Sequence, residues 1–264
     1  MKKLIAMIVL LGAQLALGML PENEQKVIDM NNRLMGAIVA GNVQTVNDLL
    51  ARGANPNAID GNGTTALLAV FLQPHLNIDI VRALVAARAD VNAVLPNGVT
   101  VLMLATTLGN VDAVTILLEA GANRDAVAGP GITALMNATL APGGLPVVKK
   151  LLLFIPPAER KRIREHIRGL SSALKRTETK LPQEIQQIVG RAIDAIVEQQ
   201  MQRISGLLAQ TNFDDETAQV YARDRGRTAI ANFLNPNNPE LRQAVVEEIQ
   251  RIIAETQMPP VAKK

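Results

Sequence analysis

The sequence contains no cysteine and no tryptophan, and its 264 residues include only two histidines, one tyrosine and four phenylalanines. The absence of cysteine excludes disulfide bonds, thiol nucleophiles, thiolate-bound metals and a lipid anchor attached through a cysteine. His75 and His166 each lack a second histidine at metal-ligand spacing, so no metal site is expected. Because aromatic rings are scarce while 48% of the residues are hydrophobic, the core is expected to consist of aliphatic side chains on stacked helices.

Charge is distributed unevenly along the chain. Residues 19–148 contain 6 Lys/Arg and 10 Asp/Glu, whereas residues 149–264 contain 19 Lys/Arg and 14 Asp/Glu. Without its first eighteen residues the chain is nearly neutral, which argues against the strongly basic surface of a general nucleic-acid binder.

The first twenty residues have the pattern of an export signal. Lys2 and Lys3 precede an uncharged, mostly apolar stretch at 4–17, and Ala16 and Gly18 supply small residues at the spacing of a cleavage site. The stretch is shorter than the roughly 20 apolar residues that span a bilayer. We therefore expect residues 1–18 to be a cleaved bacterial signal peptide and the mature chain to be periplasmic or secreted. An uncleaved segment that anchors the chain in the membrane is the alternative.

Two sequence patterns recur at a spacing of 35 and then 33 residues. One is a glycine-x-threonine followed by apolar residues, and the other is a six-residue segment that reads G-A-N-P-N-A, R-A-D-V-N-A and G-A-N-R-D-A in its three copies. Between them lie two stretches with apolar residues at helical spacing, so each unit is predicted to be a helix, a turn, a second helix and a loop. A single unit cannot bury both helices, so the units are expected to stack. The threonines are Thr65, Thr100 and Thr133, the six-residue segments begin at Gly53, Arg88 and Gly121, and second helices are predicted at 43–52, 78–88 and 147–153, with another beginning near Val111.

These patterns resemble the ankyrin repeat, a unit of 33 residues with the signatures G-x-T-P-L-H-x-A and G-A-D-x-N-A. The resemblance implies an all-α solenoid of about four units that acts as a scaffold for protein–protein interaction. Three departures stand out: the proline and histidine after the threonine are absent from every unit, insertions lie at 73–77 and 141–146, and Arg88 replaces a glycine. Arg88 is expected to alter the end of its helix. The predicted divisions are a capping segment at 19–29, repeats at 30–62, 63–97, 98–130 and 131–153, and a helical C-terminal domain or cap at 154–264.

The C-terminal region lacks the repeat patterns in its sequence. Helical segments are predicted there at residues 158–174, 182–209, 216–234 and 240–254, and they are expected either to close the end of the solenoid or to form a separate interaction domain.

The sequence contains no recognised motif of a catalytic site. The sequence has no G-x-S-x-G nucleophile turn and no calcium loop of alternating oxygen ligands. The glycine pairs around Asn62 and Pro130 fall in the repeat turns, where glycine suits the backbone geometry better than a phosphate-binding role. The chain is predicted not to be an enzyme and to use no cofactor, metal or small-molecule substrate. An unrecognised enzymatic C-terminal domain is left as an alternative.

In the ankyrin family, the turn tips and the first helices form the surface that binds partners. Four apolar residues at such positions, Leu72, Val99, Leu108 and Ile132, are candidate contact anchors, and burial against neighbouring units is the alternative. The resemblance implies a protein partner bound by the following residues: Gly61, Asn62, Thr64, Leu72, Gln73, Pro96, Asn97, Val99, Thr107, Leu108, Pro130 and Ile132.

A second candidate surface is basic. Residues 149–180 contain 10 Lys/Arg against 3 Glu, and one predicted helix carries Arg160, Arg164 and Arg168 on one face beside Lys161. The alternative function is therefore a secreted effector in which this region binds an anionic membrane or nucleic acid. A solvated helix face is the competing interpretation, and the absence of aromatic residues among the basic ones weakens the case for nucleic acid.

Overall fold

The computed structural model describes residues 22–129, 131–176, 182–210 and 216–255. The predicted signal peptide at 1–18 therefore lies outside the described residues. The chain divides into two compact units, Met1–Leu95 and Pro96–Lys264. The first unit contains α1 (Glu22–Val39), α2 (Val43–Ala51), α3 (Ala66–Phe71) and α4 (Ile78–Ala86).

The first unit consists of two stacked helix pairs. Helix α1 packs against α3 and α2 packs against α4, so the first helices and the second helices form separate layers. The Asn42 and Asn77 side chains accept hydrogen bonds from the first turns of α2 and α4, and the Thr65 hydroxyl does the same for α3. The aliphatic core between the layers includes Leu34, Ile38, Leu49, Leu67, Ile80 and Leu84.

The second unit continues the same arrangement and adds a helical bundle. Its elements are α5 (Val101–Thr107), α6 (Val111–Glu119), β1 (Val127–Ala128), β2 (Ile132–Thr133), α7 (Ala134–Leu140), α8 (Gly144–Leu153), α9 (Pro157–Arg176), α10 (Pro182–Leu208), α11 (Ala218–Asp224), α12 (Thr228–Phe233) and α13 (Pro239–Ala254). Helix α5 packs against α7 and α6 packs against α8, while the two short strands pair in antiparallel register. Thr100 and Thr133 cap α5 and α7 as Thr65 caps α3. The all-α repeat fold is confirmed.

The helix predicted at 216–234 is wrong as a single element, because the chain reverses at Gly226 to form α11 and α12. Gly226 has a φ of +73°, close to the +68° of Gly109 between α5 and α6. The Thr217 hydroxyl accepts a hydrogen bond from the Val220 amide, as the other threonines do in their repeats. Helix α11 packs on α7 and α12 packs on α8, so a fifth helix pair continues the stack. The predicted boundary at Leu153 therefore does not mark the end of helix-pair stacking.

The remaining three helices form a bundle beside α8. Helices α9, α10 and α13 pack against one another, and both α10 and α13 contact α8. Their buried residues recur at helical spacing, as Leu241, Val245, Ile249 and Ile252 do in α13. The chain segment between α8 and α11 is therefore an insertion between the fourth and fifth helix pairs, packed on the side of the second helices.

The expectation that Arg88 alters the end of its helix is wrong. Its φ of +68° is left-handed, as are those of Gly53 and Gly121 at the equivalent positions. The hydrogen bonds of the turn are also retained: the Arg88 amide donates to the Val85 carbonyl and the Ala89 amide to that of Leu84. The repeat geometry thus places an L-residue in a conformation that favours glycine.

Replacing Arg88 by glycine is expected to raise the free energy of unfolding by about 0.5–1 kcal/mol. A side chain in the left-handed region costs about 1–2 kcal/mol, and the greater freedom of glycine in the unfolded chain offsets only part of that cost. Urea denaturation followed by circular dichroism measures the change. The reverse substitution Gly121→Arg is the matched control and should lower stability by a similar amount. A destabilised Arg88→Gly would contradict the prediction.

Candidate partner-binding surfaces

The first unit has an open groove between the ends of its first helices and the turn before α3. The groove has a volume of about 440 Å³. Its apolar wall includes Val39 and Leu72, and the Leu72 side chain is 51% exposed. Four of the five residues predicted in this unit line the groove, namely Asn62, Thr64, Leu72 and Gln73, whereas Gly61 is exposed at the turn. The groove therefore combines an apolar helix end with a polar turn.

Asp60 holds the polar wall of this groove in place. Its Oδ1 atom accepts hydrogen bonds from the Thr64 amide at 2.9 Å and from the Asn62 amide at 2.8 Å. These bonds, above all that from Thr64, lower the pKa of the Asp60 carboxyl from its ordinary value because they stabilise the charged form. On the opposite side, the Gln73 Nε2 atom donates to the Ala69 carbonyl at 3.1 Å. Both polar side chains are therefore oriented before any partner arrives.

The second unit exposes the ends of α5 and α7. Leu108 is 47% exposed, and Thr107, Pro96 and Asn97 are accessible at the surface as predicted. The Thr107 hydroxyl donates to the Met103 carbonyl at 2.9 Å, so its polar group is already hydrogen-bonded within α5. Leu140, at the end of α7, adds another exposed apolar residue.

Two of the four candidate anchors are only partly accessible. Val99 and Ile132 are half-buried, which agrees with the alternative that neighbouring units cover them. Ile132 pairs with Ala128 in the short β-hairpin, and Ala128 also lies against Gly98, the residue before Val99. Packing between successive turns therefore covers these side chains. Pro130 lies outside the described residues.

Sequence reasoning missed a set of exposed apolar residues on the turns. Each of these residues directly follows one copy of the six-residue repeat segment, so they recur at the repeat spacing of 35 and 33 residues. This spacing is the sequence signal that could have identified them. Backbone pairing fixes two of them, since Ile59 pairs with Thr65 and Val127 pairs with Thr133. Exposed apolar residues at one repeat position are typical of contact surfaces rather than of cores. The set is Ile59, Val94 and Val127.

The predicted basic surface is largely neutralised by carboxylates of the same chain. Arg160 lies 3.5 Å from Glu119, Lys161 lies 3.8 Å from Glu165, and Arg164 lies 3.4 Å from Glu255. Arg168 is exposed on the same helix. Exposed ion pairs of this kind add little stability, but they reduce the positive potential available to an anionic partner.

Two further structural observations concern metal binding and membranes. Within the described part of the chain, His, Cys, Asp and Glu side chains do not gather in groups of three that could hold a metal ion. Among the same residues, no helix combines the length and the apolar character needed to cross a membrane.

Comparison with protein-family models identifies ankyrin repeats. The model for three copies of the repeat matches residues 34–128 and 71–160, which together cover the helix pairs from α1–α2 to α7–α8. Comparison with curated proteins gave no match. Ankyrin repeats generally mediate protein–protein interactions, and the family is typically non-catalytic. The stacked helix pairs, their threonine and asparagine caps and the family match together identify residues 34–160 as ankyrin repeats.

Proposed function

We propose that the protein is an exported, non-catalytic scaffold that binds a protein partner through its turn tips and the exposed ends of its first helices. The observation that carries the proposal is the recurrence of exposed apolar residues at equivalent repeat positions. Leu72 and Leu108 end successive first helices, and Ile59, Val94 and Val127 follow successive second helices. Binding surfaces commonly combine apolar side chains with polar groups that are already hydrogen-bonded within the protein.

Export is the second part of the proposal. It is supported by the two lysines, the apolar stretch and the small residues at the start of the sequence. Intact mass spectrometry of the protein recovered from a producing bacterium tests it. A mass corresponding to a chain that begins at Met19 supports cleavage, whereas the full-length mass in the membrane fraction supports the anchored alternative.

Replacing Leu108 and Leu140 together by aspartate is expected to weaken partner binding by at least tenfold. Each leucine contributes about 1.5–3 kcal/mol to the binding free energy when a partner covers it. In the variant, covering the aspartate carboxylates instead costs desolvation free energy. The measurement is affinity capture from bacterial envelope and culture medium with the chain from residue 19 as bait, followed by titration of any captured protein.

The matched control is Val27→Asp, which places the same charge on another exposed apolar residue, on α1. A protein bound by wild type and by the control but lost by the double variant supports the proposed surface. Equal binding to all three baits removes the ends of α5 and α7 from the interface, and the corresponding pair Val39 and Leu72 in the first unit is then tested in the same way.

A further inference from the structure

A pocket of about 310 Å³ lies in the second unit, where α8 meets the bundle formed by α9, α10 and α13. Its lining includes four basic side chains and two acidic ones, which leaves an excess of two positive charges. Half-buried Leu153 and Phe154 lie beside the charged groups and give the pocket an apolar part. The pocket is formed by second helices and bundle helices, so it involves none of the residues proposed to bind a protein partner.

The two carboxylates of the pocket are already engaged by its two arginines. Glu119 lies 3.5 Å from Arg160, and Glu248 accepts a hydrogen bond from the Arg251 Nε atom at 3.0 Å. Arg251 also lies 3.4 Å from Glu255. The acidic residues therefore neutralise the guanidinium groups and leave the positive charge of the two lysines uncompensated.

Lys149 and Lys150 are held at the pocket by the periodicity of α8. Pro146, Lys149, Lys150 and Leu153 share one face of the helix, while its opposite face is buried in the repeat core. The Lys149 ammonium lies 5.0 Å from the centre of the Phe233 ring, and Lys150 is half-buried. Neither lysine has a carboxylate within ion-pair distance among the described residues. Both lysines line the pocket, Lys149 from its exposed side, so an anion bound there would be attracted by two positive charges.

We infer that this pocket binds a phosphate monoester that carries an apolar group. A phosphate monoester has a charge of about −1.5 to −2 at neutral pH, which matches the excess charge of the pocket. Lysine ammonium groups are common ligands of phosphate oxygens, and the Leu153 and Phe154 side chains would cover part of an attached hydrocarbon chain. Such a ligand comes from one of two sources, a free amphiphile or the headgroup of an anionic lipid in a bilayer.

Isothermal titration of the full chain with octyl phosphate, below its critical micelle concentration, tests the inference. We expect saturable binding that weakens as salt is added. Octanol should bind at least tenfold more weakly because it lacks the charged phosphate, and inorganic phosphate should do so because it lacks the hydrocarbon chain. Lys150→Gln should weaken octyl phosphate binding about tenfold, and Lys150→Arg should retain most of it. Circular dichroism spectra identical to wild type establish that the variants are folded.

Lys161→Gln is the matched control, because Lys161 is exposed on α9 and already paired with Glu165. It should bind octyl phosphate as wild type does. Binding that is equal in wild type and Lys150→Gln, or the absence of saturable binding, overturns the inference, and so does inorganic phosphate binding as tightly as octyl phosphate. Vesicles of phosphatidylcholine with 10 mol% (about one lipid in ten) phosphatidic acid distinguish the sources. Lysine-dependent sedimentation with them supports the bilayer source, and octyl phosphate binding without sedimentation supports the free amphiphile.

Discussion

Replacing Gly144 by alanine is expected to lower the free energy of unfolding by about 3 kcal/mol or more. A Cβ atom at this position would lie 2.1 Å from the carbonyl oxygen of Ala138, far inside van der Waals contact. It would also lie 3.4 Å from the Cδ1 atom of Ile230 in α12. Because the oxygen belongs to the backbone of α7, a side-chain rotation cannot relieve the clash, and the two helices must move apart.

Gly144 is where three elements of the second unit meet. It begins α8 within the insertion at 141–146, and its amide donates to the Ala141 carbonyl at 3.0 Å. The helix start is buried beneath α12, so the fifth helix pair depends on the absence of a side chain here. Displacing α8 from α7 would therefore also disturb the packing of α12 on α8.

Urea denaturation of wild type and Gly144→Ala, followed by circular dichroism at 222 nm (about the minimum of the helical signal), measures the effect. Gly206→Ala is the matched control, because Gly206 is exposed within α10 and a Cβ atom added there would have no neighbour within 4 Å. That substitution should raise stability by about 0.5–1 kcal/mol through helix propensity. Equal effects of the two substitutions would show that the close contact at Gly144 is not needed for the fold.

The sequence allowed the repeat helices to be predicted because their ends depend on local chemistry. Threonine at the start of the first helices and asparagine at the start of α2, α4 and α6 satisfy amides that lie two or three residues away. Glycine at positive φ follows α2, α5 and α6 by an equally local effect, at Gly53, Gly109 and Gly121. Such signals need no knowledge of the rest of the fold, and the predicted second helices agree with the observed ones to within three residues at each end.

The fifth helix pair could not be predicted in this way, because its identity depends on what it packs against. It keeps Thr217 and Gly226 but lacks the glycine-x-threonine pattern, and residues 154–216 separate it from the fourth pair. The contact of α12 with Gly144 of α8 joins segments more than 80 residues apart, a distance at which repeat spacing gives no guidance.

Long-range contacts also explain why the sequence left the accessibility of the candidate sites open. Val99 and Ile132 are covered because successive turns pack together, and this depends on the tertiary stacking of the repeats. The charges of α9 are neutralised by Glu119 and Glu255, which come from α6 and from the residue after α13. In contrast, Leu72 lies at a helix end, where exposure follows from repeat position alone.

The nearly buried cation Arg124 joins the loop after α6 to the C-terminal end of α8. Its side chain is 9% exposed, and its Nη1 atom donates to the carbonyls of Leu151 at 2.8 Å and Phe154 at 3.3 Å. Helix-terminal carbonyls lack partners within the helix, so Arg124 caps the end of α8. Burial, with the nearby charge of Arg203, lowers the pKa of the Arg124 guanidinium to about 10, so it is still charged at neutral pH.

Glu159 of α9, which is partly exposed, is a neighbouring charge that acts on Arg124. It accepts hydrogen bonds at 2.7 Å from both Arg203 and Gln200 of α10, and its charge favours the protonated form of Arg124. The Arg124 guanidinium thus donates to the end of α8, and its two carbonyl hydrogen bonds and the nearby carboxylates offset the desolvation cost of its charge. Arg124 occupies the place of Pro56 and Val91 in the preceding repeats, so this contact is particular to the unit that precedes the insertion.

Replacing Arg124 by alanine is therefore expected to lower the free energy of unfolding by about 3 kcal/mol, because two carbonyls lose their donor and Glu159 loses a neighbouring positive charge. Urea denaturation measures the change, with Arg168→Ala as the matched control. Arg168 is exposed on α9, so removing its side chain should alter stability by no more than about 0.5 kcal/mol. If both substitutions have the same small effect, the hydrogen bonds of Arg124 do not stabilise the fold. If Arg124→Ala alone is strongly destabilised, the cap that Arg124 provides at the end of α8 contributes substantially to the stability of the second unit.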